Sequence, residues 1–229
     1  MFCCLKTCLN DPNNSHNIPL IQENPICLDT SHMGHEVVVI KGGTRACGSG
    51  CCLTTAPLVQ SKSYFEVKIQ QAGQWSIGLA TRQTNFNNTK GGQDKESWCL
   101  CSDNAVYHNG KEVYKLEEKS TAITSTVVVD NMVELQDNAP ITTASATTTV
   151  LNTSGIPQEG DTIGVSFDHI DLNFYLNGKN LEIPVHHVKG AIYPAIWVDD
   201  GAILDIILDN FSYQPPPGFD RIMIEQSLL

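Results

Sequence analysis

Between Gly160 and Val185 the chain reads GDTIGVSFDHIDLNFYLNGKNLEIPV, and its apolar residues recur at every second position. Ile163, Val165 and Phe167 fall on one side, and Thr162, Gly164, Ser166 and Asp168 on the other. After Asp168–Asp171 the pattern restarts, with Leu172, Phe174 and Leu176 against Asn173 and Tyr175. Successive side chains of a strand point to opposite faces, so a period of two with one apolar face predicts half-buried antiparallel strands. Asn177-Gly178 closes the pair, because a two-residue primed turn needs positive φ at both positions. Leu181 and Ile183 resume the alternation, and Pro184, which has no amide proton, limits it. No helix of ordinary length fits this stretch.

The rest of the chain repeats the theme. Glu36–Ile40, EVVVI, is β-branched and reads as a buried strand. Lys41-Gly42-Gly43 turns the chain and Thr44–Cys47 runs back, but Cys47–Cys52, CGSGCC, is small and Gly-rich and reads as a loop. Tyr64–Gln70 alternates cleanly, and Ala72-Gly73 turns into a strand over Trp75–Ala80. Polar Thr81–Glu96 reads as a long loop. Trp98–Cys101 and Ala105–His108 are short strands around Ser102-Asp103-Asn104, and Asn109-Gly110 is another hairpin-type turn. His186–Gly190 reads as a loop and Ile192–Val198 as a strand. Asp199-Asp200-Gly201 is a turn, and Ala202–Leu208 is apolar enough for a central strand. Gln214–Gly218 is extended, and Phe219–Leu229 packs back on the body. Short strands with frequent turn signals and no helical periodicity predict an all-β fold, a bent antiparallel β-sandwich without sizeable helices.

At 229 residues one core is expected. We place one domain over 18–229, with Ile18–Thr30 as an extended lead-in, and a flexible tail over 1–17. Glu117–Ser154 is rich in Thr, Ser, Ala and Val but poor in large core residues. It reads as a long, mostly disordered insertion, with an extra edge hairpin as the alternative.

Charge narrows the class of partner. The net charge is −11. Residues 1–110 hold 8 basic and 8 acidic side chains, and residues 111–229 hold 6 and 17, so the whole excess lies in the second half. Phosphate backbones need the opposite sign, so nucleic acid is disfavoured and a basic protein or peptide is favoured. No apolar run of transmembrane length occurs and Met1–Asn10 lacks the apolar core of a secretory signal, so an intracellular, cytoplasmic location is expected. Cys3, Cys4 and Cys8 lie beside Phe2, Leu5 and Lys6, a setting for S-acylation and hence for membrane association; Phe2 excludes N-myristoylation. The alternative there is a tail of unmodified thiols.

Nine cysteines, odd in number and unevenly spaced, do not form a secreted disulfide framework. Adjacent pairs and one Cys-x-Cys also depart from the paired spacing of zinc sites, so free buried thiols are expected ahead of a zinc-binding protein. His32-x-x-His35, His186-His187 and Asp168-His169 lack catalytic or metal partners at a recognisable spacing, and Asp168 reads as a turn residue bonded to backbone. No nucleotide, nucleophile-elbow or metalloprotease motif occurs. No catalytic residue, metal ligand or cofactor is assigned, and no enzyme is expected. A rigid sandwich carrying loops is instead a recognition scaffold, and its loop candidates are Arg45–Cys52, Asn85–Glu96, Tyr107-His108 and Asp199-Asp200. Tyr107 offers a flat contact surface with a polar tip, or simply packs on a neighbouring strand.

The blocks YFEVKIQ…WSIGLAT, ESWCLCSDNAVYHNGK, GDTIGVSFDHIDLNFYLNGKNLEIP and IYPAIWVDDGAILDIIL resemble, in order and spacing, successive blocks of a SPRY domain. The likeness spans about Ser31–Phe211, and LNFYLNGKNL followed by YPAIWV is its most specific part. The resemblance implies a concanavalin-like sandwich that binds a protein or peptide through loops on one face, without catalysis. In relatives carrying a SOCS box, a peptide lies against three features. They correspond here to the Arg45–Cys52 loop (Arg45, Gly48, Ser49), to Tyr107, and to the turn at Val198, Asp199 and Asp200. Asp199-Asp200 replaces a Val-Trp pair of those relatives, which implies an acidic contact in place of an apolar one. No SOCS box, RING or coiled coil is expected beside the domain.

Overall fold

The computed structural model describes residues 25–117 and 155–224. They form fourteen strands: β1 (Leu28–Met33), β2 (Glu36–Ile40), β3 (Arg45–Thr54), β4 (Ser63–Gln71), β5 (Gln74–Ala80), β6 (Ser97–Cys101), β7 (Ala105–His108), β8 (Lys111–Lys115), β9 (Thr162–Phe167), β10 (Asp171–Leu176), β11 (Lys179–Asn180), β12 (Val185–His186), β13 (Tyr193–Asp199) and β14 (Ile203–Ile207). One 3-10 turn, Lys41–Gly43, is the nearest thing to a helix among the described residues. Their main hydrogen-bonded order is β11-β10-β9-β4-β14-β3-β13-β5-β6-β7-β8, all antiparallel.

The two layers are joined through β3. Its first residues pair with β14, Ala46 opposite Leu204, and its last with β13, Gly50 opposite Val198 and Leu53 opposite Ala195. Between them the strand bends at Gly48 and Gly50, whose φ values are 93° and 124°. A Cβ at Gly50 would stand 2.7 Å from the Phe86 carbonyl oxygen, and one at Gly48 would collide with that of Glu36. The small residues read as a loop are therefore the hinge of the longest strand. Glycine weakens a flat strand, but here it lets one strand serve two sheets.

Inward faces of both layers make one core. Phe65, Val67, Ile69, Val165, Phe167 and Phe174 of one layer meet Ile77, Leu79, Leu100 and Ile196 of the other. Burying each large apolar side chain contributes about 2–3 kcal/mol. Asn177 and Gly178 carry φ of 49° and 79°, as the hairpin turn requires. The Asn177 carboxamide oxygen also accepts the Thr162 amide at 2.9 Å. The carboxyl-terminal stretch packs back as far as Ile222, which is buried, and Gln60 Oε1 takes the Met223 amide at 2.7 Å.

Several elements differ from expectation. Glu36–Ile40 pairs only with β3, and Val38 and Ile40 are 50% and 46% exposed, so it is an edge strand and not a buried one. β1 takes up the last residues of the expected lead-in, from Leu28, and continues to Met33, and β8 completes the Asn109-Gly110 hairpin with a mostly exposed, charged sequence that hid its strand character. After Asn177-Gly178, Lys179–Asn180 and Val185–His186 both pair with β10, but the residues between them do not, so the alternation at Leu181 and Ile183 forms no strand. The outer face of β4 is not solvated, because residues 209–213 cross it. Phe211 meets the Tyr64 ring edge-on at 4.9 Å, and buried Glu66 accepts the amides of Ser212 and Tyr213 at 2.7 and 2.9 Å. The tail over 1–17 and most of the 117–154 insertion lie outside the described residues.

Candidate docking surface

The Thr81–Glu96 connection lies over the outer face of the β13-β5-β6 layer. Beneath it Cys51, Leu53, Cys99, Cys101, Ala195 and Trp197 form a second apolar cluster, with Phe86 and Tyr107 at its margin. The connection is held from within. Asp94 accepts hydrogen bonds from the Thr84 and Ser97 hydroxyls at 2.8 and 2.7 Å and from the Asn85 and Glu96 amides at 3.1 and 3.0 Å. Burial works to raise the Asp94 carboxyl, but these four donors outweigh it and hold it below its ordinary value. The segment passes close to the sheet at Gly91 and Gly92, whose amides reach the Ser76 and Ser97 hydroxyls at 3.0 Å each.

Lys90 leaves this segment toward the β6–β7 turn. Its Nζ lies 3.7 Å from the Tyr107 ring centroid and 2.7 Å from Asp103 Oδ2. Tyr107 donates its hydroxyl to the same carboxylate oxygen at 2.9 Å, and Lys115 Nζ reaches the Asp103 carbonyl at 2.9 Å. Burial pushes Asp103 up, but the Lys90 and Tyr107 hydrogen bonds and the nearby lysine charges prevail and hold its carboxyl low. For Lys90, burial acts to lower the ammonium's pKa, and the Asp103 hydrogen bond more than restores it. Beside this cluster Gly73, Gln74, Lys90, Ser102, Asp103 and Asp200 line an open depression of about 320 Å³. Asp200 sits at its rim in a turn with φ of 47°, and it is exposed.

Of the residues expected at a contact surface, Asp200 lines the depression, and Tyr107 touches two of its lining residues, Lys90 and Asp103. Asp199 ends β13 opposite Gln74 and is half-buried. Val198 is 1% exposed between Gly50 and Trp75, so its side chain offers no surface. Gly48 and Ser49 lie in β3, paired with Val37 and Glu36, and not in a loop. Arg45 belongs to the other layer: Nε and Nη2 both donate to Asp205, whose second cation is Lys41 at 2.8 Å. Sequence reasoning missed Lys90, Asp103 and Gln74. Two of them fall in segments it named, the Asn85–Glu96 loop and the Ser102–Asn104 turn, but only the register brings them to Tyr107.

Among the described cysteines, Cys51, Cys52, Cys99 and Cys101 are buried in the sheets and serve as packing. Cys27, Cys47, Cys51, Cys52, Cys99 and Cys101 are free thiols, and no group of three or more His, Cys, Asp or Glu side chains could hold a metal ion among the described residues. Burial pushes the Cys51 and Cys99 thiols well up, and takes Cys101 to about 12, which suppresses the reactive thiolate. The histidines are engaged locally: His32 Nδ1 with Asp29, and His186 Nδ1 with Asp171, each at 2.7 Å. Asp168 Oδ1 takes the Ile170 and Asp171 amides at 3.0 and 2.8 Å, as its turn position predicts. Cys3, Cys4 and Cys8 lie outside the described residues. No described helix is long and apolar enough to cross a membrane.

Comparison with known proteins accords with this architecture. SPRY domain-containing protein 7 of Bos taurus is 41% identical over 228 residues, covering 100% of this chain and 97% of that protein. Its Homo sapiens counterpart is 40% identical over 228 residues at the same coverage. The SPRY domain of human HERC1 superposes with a TM-score of 0.53 at 14% identity, covering 79% of this chain and 96% of that one. The TRIM65 PSpry domain does so with 0.54 at 13%, covering 81% and 90%. Those two likenesses bear on the fold alone. The SPRY domain family model matches residues 62–211. SPRY domains are generally protein–protein interaction modules, and this chain, matched over most of its length, belongs to the SPRY domain family.

Proposed function

We propose that the chain is a non-catalytic, intracellular interaction module that docks a peptide or loop of a partner protein over the depression between the β6–β7 and β13–β14 turns. The observation that carries this reading is the meeting of Lys90, Asp103 and Asp200 around one open hollow, with Tyr107 held against the first two. Asp103 is already neutralised by Lys90, whereas the Asp200 carboxylate has no hydrogen bond or ion pair among the described residues. The hollow therefore favours a segment bearing a basic side chain, which a chain of net charge −11 also attracts at long range. Arg45, Gly48, Ser49 and Val198 drop out of this reading, and Gln74 and Lys90 enter it. Affinity capture from cell extract with the wild type and a Tyr107→Ala/Asp200→Arg double variant tests it. We expect a subset of partners to be lost with the variant, and identical partner sets from both proteins would defeat the assignment.

A further inference from the structure

The Tyr107 face is already occupied, and by the molecule itself. Lys90 Nζ stands 3.7 Å over the ring centroid and 2.7 Å from Asp103, and the Tyr107 hydroxyl donates to the same Asp103 oxygen. An aromatic face with a carboxylate at its edge is a receptor for a cation. Here that receptor holds an internal one. Its backbone is not free to leave. Gly91, the next residue, is bonded to Ser76, and its carbonyl accepts the Cys101 thiol at 3.7 Å. A Cβ on Gly91 would press within 2.8 Å of Trp197. The Lys90 side chain, by contrast, is 26% exposed and borders the hollow that Asp200 also lines. It can swing across the hollow while the main chain stays in place.

We infer that Lys90 is an internal competitor for the cation-binding face of Tyr107 and Asp103, and that an arginine side chain from a partner displaces it. This rests on the docking surface proposed above and adds its regulation and the residue it reads. Arginine suits the exchange better than lysine. Its planar guanidinium stacks on an aromatic ring, and its fork can take the Asp103 carboxylate through two donors. Lys90, a single ammonium on a flexible stem, moves toward Asp200, so charge balance across the hollow is kept. Each partner binding event therefore includes the cost of releasing Lys90.

The sign of the effect sets this apart from a merely structural lysine. Binding of an acetylated, amidated Gly-Ser-Arg-Ser-Gly peptide is measured by amide chemical-shift titration of the full chain. The wild type is compared with Lys90→Gln and with Lys95→Gln, which removes the same charge from an 80% exposed site on the same connection. We expect Lys90→Gln to bind the peptide roughly three- to tenfold more tightly, the range of a single cation–π contact, with shifts centred on Gln74, Ser102 and Tyr107. Lys95→Gln should stay within about twofold of wild type, as a change of rim charge does. Equal or weaker binding by Lys90→Gln, at an unchanged thermal midpoint, overturns the inference, and so does an equal gain in Lys95→Gln. If no form binds the peptide, the cation exchange is wrong. A partner set lost with Tyr107→Ala/Asp200→Arg would still leave the docking surface standing.

Discussion

Asp205 and Asp103 hold clusters of similar composition in different layers of the sandwich. Asp205, in the middle of β14, takes Arg45 through two nitrogens and Lys41 through one, and its side chain is 6% exposed. Asp103, in the β6–β7 turn, takes Lys90 and the Tyr107 hydroxyl, and its side chain is 43% exposed. Both carboxyls are held below their ordinary value although burial acts to raise them, because cationic donors outweigh it. The difference lies in what water can do. At Asp103 water and a solute cation can replace the lysine at little cost, since exposed pairs are screened and contribute at most about 1 kcal/mol. At Asp205 the carboxylate itself is largely withdrawn from water, although the hollow that it lines with Lys41 is open, and breaking the cluster strands charge that is only partly solvated. The same chemistry is framework in one place and an exchangeable contact in the other.

The largest effect that tests this contrast is Asp205→Asn. Arg45 and Lys41 retain some access to water, so the loss falls at the lower end for a broken buried pair, about 2–3 kcal/mol. Urea unfolding should show it as a lower midpoint with an unchanged slope. Partner capture should be unaltered at temperatures where the variant is folded. A loss under about 0.5 kcal/mol, the size of a surface pair, would remove the distinction between the clusters.

The acid limb of stability separates them next. A carboxyl whose folded pKa lies below its unfolded value adds stability that is present above the unfolded pKa and lost as pH falls through the folded one. Both aspartates meet that condition, so their contributions begin to fall near the unfolded value of about 4 and are gone only once the pH lies below the folded pKa. Arg45, whose guanidinium is held up by its hydrogen bonds to Asp205, keeps its charge throughout this range. Asp205→Asn should therefore flatten the fall in unfolding midpoint between about pH 5 and pH 3 markedly, and Asp103→Asn only slightly. Equal flattening by both would mean that exposure does not set the weight of these pairs.

The sequence made one side of this contrast far easier to see than the other. Alternation is a local property, so Gly160–Leu176 and the Asn177-Gly178 turn could be read directly, and both φ values agree. The family blocks placed Tyr107 and the Asp199-Asp200 turn. Long-range register could not be read. Arg45 faces Asp205 across 160 residues, and nothing near either signals the other. CGSGCC lacks the bulk that marks a strand, so its role as the bend joining two sheets was hidden, and Arg45, Gly48 and Ser49 were assigned to a loop. EVVVI carries the composition of a buried strand, but which side of a sheet is covered depends on the neighbours that β2 does not have. Lys90 is one polar residue in a polar connection, and only the close passage of Gly91 over Trp197 and Cys99 aims it at Tyr107.

The smallest expected change is the most discriminating. Asp103→Asn removes the carboxylate that Lys90 and Tyr107 share, and keeps an acceptor oxygen for the Tyr107 hydroxyl. Stability should fall by about 0.5 kcal/mol, discounted for the solvent that already screens this pair. Lys90, released from the acid, should stay near the ring by its cation–π contact alone or turn toward Asp200. Binding of the arginine pentapeptide should weaken by roughly three- to tenfold, since the fork loses its charged acceptor. The same substitution at Asp205 should leave that binding unchanged while costing several times more stability. If Asp103→Asn destabilised the fold as much as Asp205→Asn, the Lys90 cluster would be framework too. The hollow beside it would then have no exchangeable cation to offer a partner.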